Sequence, residues 1–125
     1  MIPVIVGHTP AGSSVDQVVH YGQLIRSGKF RQYDYGAVDN LFAYGRLTPP
    51  DYKIEAITAP VALHYSLNDW LAEPVDVLKL IGRLPNVIES YVIPDKKFNH
   101  LDFLFAIDVK SLVYDKVISL MKRYE

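Results

Sequence analysis

Two short apolar runs do most to restrict the fold of this chain: Val61-Ala62-Leu63-His64-Tyr65, and Val87 to Ile93. Pro60 precedes the first and Pro94 follows the second, so each reads as a strand with a fixed end. Between them, Pro74 is suited to the first turn of a helix carrying Val75, Val77, Leu78 and Ile81. That helix stops at Pro85-Asn86. After the second run, Asp108 caps a further helix with the stripe Leu112, Val113, Val117, Leu120, Met121 and Tyr124. Strand, helix, strand, helix is the pattern of an α/β fold with a parallel sheet, because parallel strands need a crossover and a helix is the usual one.

The front of the chain reads differently. Ile2 to Val6 is a short apolar run expected to be a strand, broken by Pro10 and Gly12. Ser14 and Gln17 fit a capping box, and Val15, Val18, Val19, Tyr21, Leu24 and Ile25 predict a helix over Val15 to Ser27 ended by Gly28. Phe30 to Tyr52 holds Tyr35-Gly36, Tyr44-Gly45 and Pro49-Pro50, with a short helix expected near Val38 to Tyr44. Such a stretch suggests a lid that packs through aromatic side chains. From Ile54 on the character of the sequence changes.

Composition removes several function classes. A formal net charge of −1 leaves no electrostatic footprint for nucleic acid. Lys96-Lys97 and Lys122-Arg123 are the densest basic spots, too small for a polybasic membrane patch. There are no cysteines, hence no disulfides and no thiolate chemistry. No stretch has the ~18 apolar residues of a transmembrane helix, and the run at the N-terminus is too short for a signal peptide. His8, His20, His64 and His100 have no metal-ligand spacing among themselves, so no metal or cofactor is expected. His8 and His20 read as residues with local hydrogen bonds, and His64 as packed in its strand.

Active sites of open parallel sheets collect at the carboxyl ends of the strands. Asp69 follows the first strand and His100 the second. A carboxylate there can hold an imidazole by its Nδ1–H and stabilise the imidazolium formed when it takes a proton. The order Asp then His is that of the α/β-hydrolases. Spacing alone leaves a plainer reading open: Asp69 as an Asx-turn residue and His100 as an exposed loop histidine. Asp102 is a poorer triad acid, better suited to steering its loop or to a local salt bridge. Val4-Ile5-Val6-Gly7-His8-Thr9-Pro10-Ala11 imitates a strand entering a nucleophile elbow, with Thr9 in the nucleophile slot. Pro10 argues against it, because the N–H it lacks would be an oxyanion donor. No Gly-x-Ser-x-Gly occurs in the sequence.

The words around the two residues are more specific. Asn68-Asp69-Trp70-Leu71-Ala72, Asp76-Val77, Leu84-Pro85-Asn86 and Phe98-Asn99-His100-Leu101-Asp102-Phe103 resemble the acid lipase family of gastric and lysosomal lipases and their insect relatives. Upstream, His8 to Ser14, Tyr33-Asp34-Tyr35-Gly36 and Pro49-Pro50-Asp51-Tyr52 extend the resemblance over essentially the whole chain. It implies the C-terminal part of an α/β-hydrolase fold, with 53–125 as its last two strands and flanking helices and 1–52 as the rear of a cap. It also implies hydrolysis of lipid esters, with Asp69 as triad acid and His100 as base. Nucleophile elbow and oxyanion loop are expected upstream of Met1, and secretion or lysosomal residence follows from the resemblance alone. Two departures stand out: Ser66 and Leu67 replace two glycines common in the family, and Phe105 replaces a common tryptophan. Tyr33, Tyr35, Phe42 and Tyr44 could line an acyl-chain groove or pack the cap.

The chain is thus expected to carry the acid and base of a Ser-Asp-His lipase without its nucleophile, and to be inactive alone. Two alternatives remain at this level: a non-catalytic lipid-binding or interaction module, and a truncated product without independent function.

Overall fold

Pro60 and Pro94 delimit a two-stranded parallel sheet in the computed structural model, which describes residues 2–9 and 11–124. Strand β1 (Val61–Tyr65) pairs with β2 (Val87–Val92), with partners running from Val61↔Val87 to Tyr65↔Val92 and one irregularity between Val61 and Ala62. The pairing reaches one residue further than β2 itself, since the Ile93 N–H donates to Tyr65 O at 2.8 Å. The crossover is α4 (Pro74–Arg83), opened by proline in its first turn as the sequence predicts. Together with the helices flanking it, this sheet is an α/β arrangement.

Four further α-helices stand around these elements in the chain. Helix α1 spans Ile2–Val6, α2 Val15–Ser27, α3 Ala37–Tyr44 and α5 Asp102–Phe105. Helix α5 escapes periodicity because four residues make barely one turn. The helix expected after Asp108 is present in two parts: Lys110–Tyr114 is wound as a π-helix and continues into α6 (Asp115–Met121).

Two local expectations are corrected. Ile2 to Val6 is a helix, not a strand. Its bonds are local, with Gly7 N–H to Pro3 O at 3.1 Å and Thr9 N–H to Ile5 O at 2.8 Å. An apolar β-branched run becomes a strand only where a neighbouring strand offers a ladder, and none pairs with it among the described residues. Thr9 therefore follows a helical turn rather than topping a strand, which removes its likeness to a nucleophile elbow. Pro10, expected to end the run, lies outside the described residues. The capping box at Ser14 is also absent as a side-chain contact. The Ser14 carbonyl instead takes the Gln17 and Val18 N–H groups at 3.2 and 3.3 Å.

The chain divides into two compact units, Met1–Lys53 and Ile54–Glu125. In the first, α2 ends at Gly28 in the left-handed conformation, with φ 63°. Two backbone bonds, Gln32 N–H to Pro50 O and Tyr52 N–H to Phe30 O, both 3.0 Å, pin the irregular stretch. The buried Asn40 side chain ties it internally. It accepts from Tyr35 N–H at 3.0 Å and donates to Asp34 Oδ1 at 2.7 Å and Leu47 O at 3.1 Å. Tyr33, Tyr35 and Tyr44 pack on one another at ring separations of 4.9 and 5.8 Å, whereas Phe42 is 83% exposed. His8 bonds Val4 O at 2.8 Å and His20 bonds Arg31 O at 2.9 Å, so both have local roles.

In the second unit the core is Ile93, Phe98, Val109 and Val113, with Tyr91, Phe103, Ala106, Leu112 and Val117 packed on it. Phe98 meets Phe103 edge to face at 4.9 Å. This core lies directly under the loop that follows β2. His64 packs in β1 with its ring 5.5 Å from that of Tyr91, its partner across the ladder.

Candidate active site

The loops after β1 and β2 leave the same edge of a parallel pair, so their side chains can meet. They do: His100 Nδ1 lies 3.0 Å from Asp69 Oδ2. Both sequence-predicted site residues are brought together.

The two partners are held differently. Asp69 is 3% exposed, and its other oxygen accepts the N–H groups of Leu71 at 2.9 Å and Ala72 at 2.8 Å. The bond to Leu71 N–H is an Asx-turn contact, so the plain reading and the site reading of Asp69 are realised in one carboxylate. Burial alone would raise the carboxyl pKa. The Ala72 N–H, His100 and the Leu71 N–H outweigh it and hold Asp69 below the ordinary carboxylate value. The His100 side chain is 51% exposed. With Nδ1 facing a carboxylate, Nδ1 carries the proton in the neutral ring, and Nε2 keeps a lone pair able to accept one.

The imidazole loop is built around Phe98, which is buried in the core two residues before His100. Asp102 Oδ2 accepts the Asn99 N–H at 2.7 Å, and Asn99 Oδ1 accepts the Leu101 N–H at 2.9 Å. Asp102 therefore steers this loop, one of the two roles open to it from sequence. Two side chains of the Asp69 loop reach across. The Ser66 hydroxyl donates to Phe98 O, and Asn68 Nδ2 donates to Lys97 O at 2.8 Å. Sequence reasoning missed both, reading Ser66 only as a lost glycine. No residue other than glycine has positive φ among those described, so Ser66 and Leu67 need no glycine conformation here.

A cleft of about 600 Å³ opens beside the pair, lined by apolar groups of β1 and by Val77, Leu101, Phe103 and Leu104. It presents a hydrophobic wall next to an acid–base pair. No serine or other nucleophile stands within hydrogen-bond distance of His100 among the described residues, and no group of metal-ligating side chains is gathered there. No helix is long and apolar enough to cross a membrane.

The geometry is accompanied by close relatives. Over 117 residues the chain is 45% identical to Lipase 3 of Drosophila melanogaster, covering 94% of this chain and 30% of that protein. It is 43% identical over 119 residues to gastric triacylglycerol lipase of Rattus norvegicus, covering 94% and 30%. It is 36% identical over 125 residues to lysosomal acid lipase/cholesteryl ester hydrolase of the same organism, covering 99% and 31%. The chain thus spans about 30% of the length of the curated relatives it matches. No family model matches it.

Proposed function

Over the portion it spans, the chain belongs to the acid lipase family, and on that premise we propose that it supplies two-thirds of a Ser-Asp-His triad for lipid ester hydrolysis. In this reading it is the C-terminal part of an α/β-hydrolase. Residues 1–52 are the rear of the cap, and the rest holds the last two strands. The observation that carries it is the 3.0 Å contact between His100 Nδ1 and Asp69 Oδ2, in loops at the carboxyl ends of adjacent parallel strands.

The chemistry follows from the tautomer. His100 Nε2 takes the proton of a serine hydroxyl as that oxygen attacks the ester carbonyl. Asp69 stabilises the imidazolium, which then hands the proton to the leaving alcohol. Water, activated by the same Nε2, releases the acyl group. Esters with long acyl chains suit the apolar cleft beside the pair. Secretion or lysosomal residence is proposed from the same kinship.

The 125 residues contain no Gly-x-Ser-x-Gly. Acid and base without nucleophile or oxyanion donors have no covalent route, so the chain alone should leave a p-nitrophenyl ester unhydrolysed. The positive test is a chimera in which this chain replaces the matching segment of Drosophila Lipase 3. The chimera should hydrolyse the ester, and His100→Gln should abolish that activity. A chimera that folds and binds but turns over equally well with His100→Gln would refute the assignment.

A further inference from the structure

We propose that Ser66, assisted by Asn68, is a positioning residue that sets the separation of Asp69 and His100. The proposal rests on the reading of that pair as acid and base. The pair joins two loops that are far apart in sequence, and one bond to a half-exposed imidazole does little to hold such loops together, since water competes for it. Something else must fix the gap.

Ser66 is fully buried, at 0% exposure, and stands three residues before Asp69. Its hydroxyl donates to Phe98 O, two residues before His100, and accepts the Asn68 N–H at 3.2 Å. Its single O–H is committed to Phe98 O, which fixes the direction of the hydroxyl hydrogen. Phe98 is itself 2% exposed and seated in the core. The Ser66 bond therefore fastens the start of the Asp69 loop to the core-seated residue of the His100 loop. Asn68, two residues after Ser66, makes a second strap from Nδ2 to Lys97 O at 2.8 Å. Two straps just ahead of the pair define a distance and an angle, where one would leave a hinge. A glycine at position 66, common in the resembled family, offers no hydroxyl and could not make this contact. The strap is thus a property of this sequence rather than of the fold.

The test reads the proton between the two loops in the chain as it is. In ¹⁵N-labelled protein the His100 Nδ1–H should give a downfield resonance, identified by its loss in Asp69→Asn. Ser66→Ala should speed exchange of that proton with solvent by about fivefold or more, the worth of one buried hydrogen bond. Asn68→Ala should speed it by a smaller factor, and the double variant should exceed either. Global stability, followed by urea titration of each variant, separates loop loosening from loss of fold. A Ser66→Ala protein that stays folded with unchanged exchange would overturn the proposal, as would absence of the resonance from the unsubstituted chain. Should Ser66→Ala fail to fold, Asn68→Ala decides: unchanged exchange there counts against the strap. Because no ester is involved, a failed chimera leaves these outcomes readable, and a failed strap leaves the chimera's turnover readable.

Discussion

Asp69 offers one oxygen to its own loop and the other to His100: Oδ1 takes the Leu71 and Ala72 N–H groups, while Oδ2 sits 3.0 Å from the imidazole Nδ1. The division of labour predicts unequal costs. Asp69→Ala removes a buried carboxylate that accepts two backbone N–H groups and the imidazole, and should lower stability by about 2 kcal/mol. His100→Ala removes a half-exposed ring and should cost less than about 1 kcal/mol. Urea titrations with unchanged slope would measure both.

In a chimera that hydrolyses esters, Asp69→Asn should reduce turnover by about 10⁴-fold with the substrate affinity little changed, since the amide favours the wrong imidazole tautomer. Steady-state kcat and KM on a soluble ester check it.

Stability should fall on acidification in two stages. His64 lies in β1 with both ring nitrogens buried and unbonded. Burial holds its pKa below the ordinary 6.5, Lys116 adds to the effect, and Glu89 opposes it. A folded-state pKa below the unfolded one means the unfolded chain binds the proton first. The loss therefore begins as pH falls through 6.5, the ordinary value, and stops below the folded-state value. Asp69 has the same sign, and its contribution is present above the ordinary carboxyl value of 3.8 and lost as pH falls through its lower folded-state value. His64→Leu should remove the first stage and leave the second, as read from thermal midpoints across pH 7 to about 3. At pH 7 the same variant should be neutral or more stable, because it deletes two orphaned nitrogens.

Phe98→Ala should cost about 3–5 kcal/mol, the range for emptying a buried aromatic site. Near-UV circular dichroism and urea unfolding of the chain would register it. The loss should exceed that of any substitution at the half-exposed His100.

Two glycines of the first unit should differ in their tolerance of a side chain. Gly28, at φ 63° and ψ 18°, is in the left-handed helix cap, where Gly28→Ala should cost about 1 kcal/mol. Gly36, at φ 89° and ψ 159°, occupies a region nearly closed to other residues, where Gly36→Ala should cost about 1–3 kcal/mol. Neither site has atoms that an added Cβ would strike, so the difference is one of backbone strain alone. Paired thermal unfolding curves compare them.

The α/β core was legible because its signals are local. Prolines bound β1, β2 and α4, and a helical stripe between two apolar runs forces a parallel pair. Strand-end placement alone left a plainer reading of Asp69 and His100 open, and it was the words around them, which resemble the acid lipase family, that singled the two out. Ile2 to Val6 misled because an apolar run carries no information on whether a ladder partner exists, and the local helical bonds win without one. Tertiary structure alone decided the rest. It joined an Asx turn and an imidazole contact in one carboxylate. It also turned Ser66 into a cross-loop donor to Phe98. Such contacts link residues remote in sequence, so their geometry depends on where folding brings two loops, which no local pattern encodes.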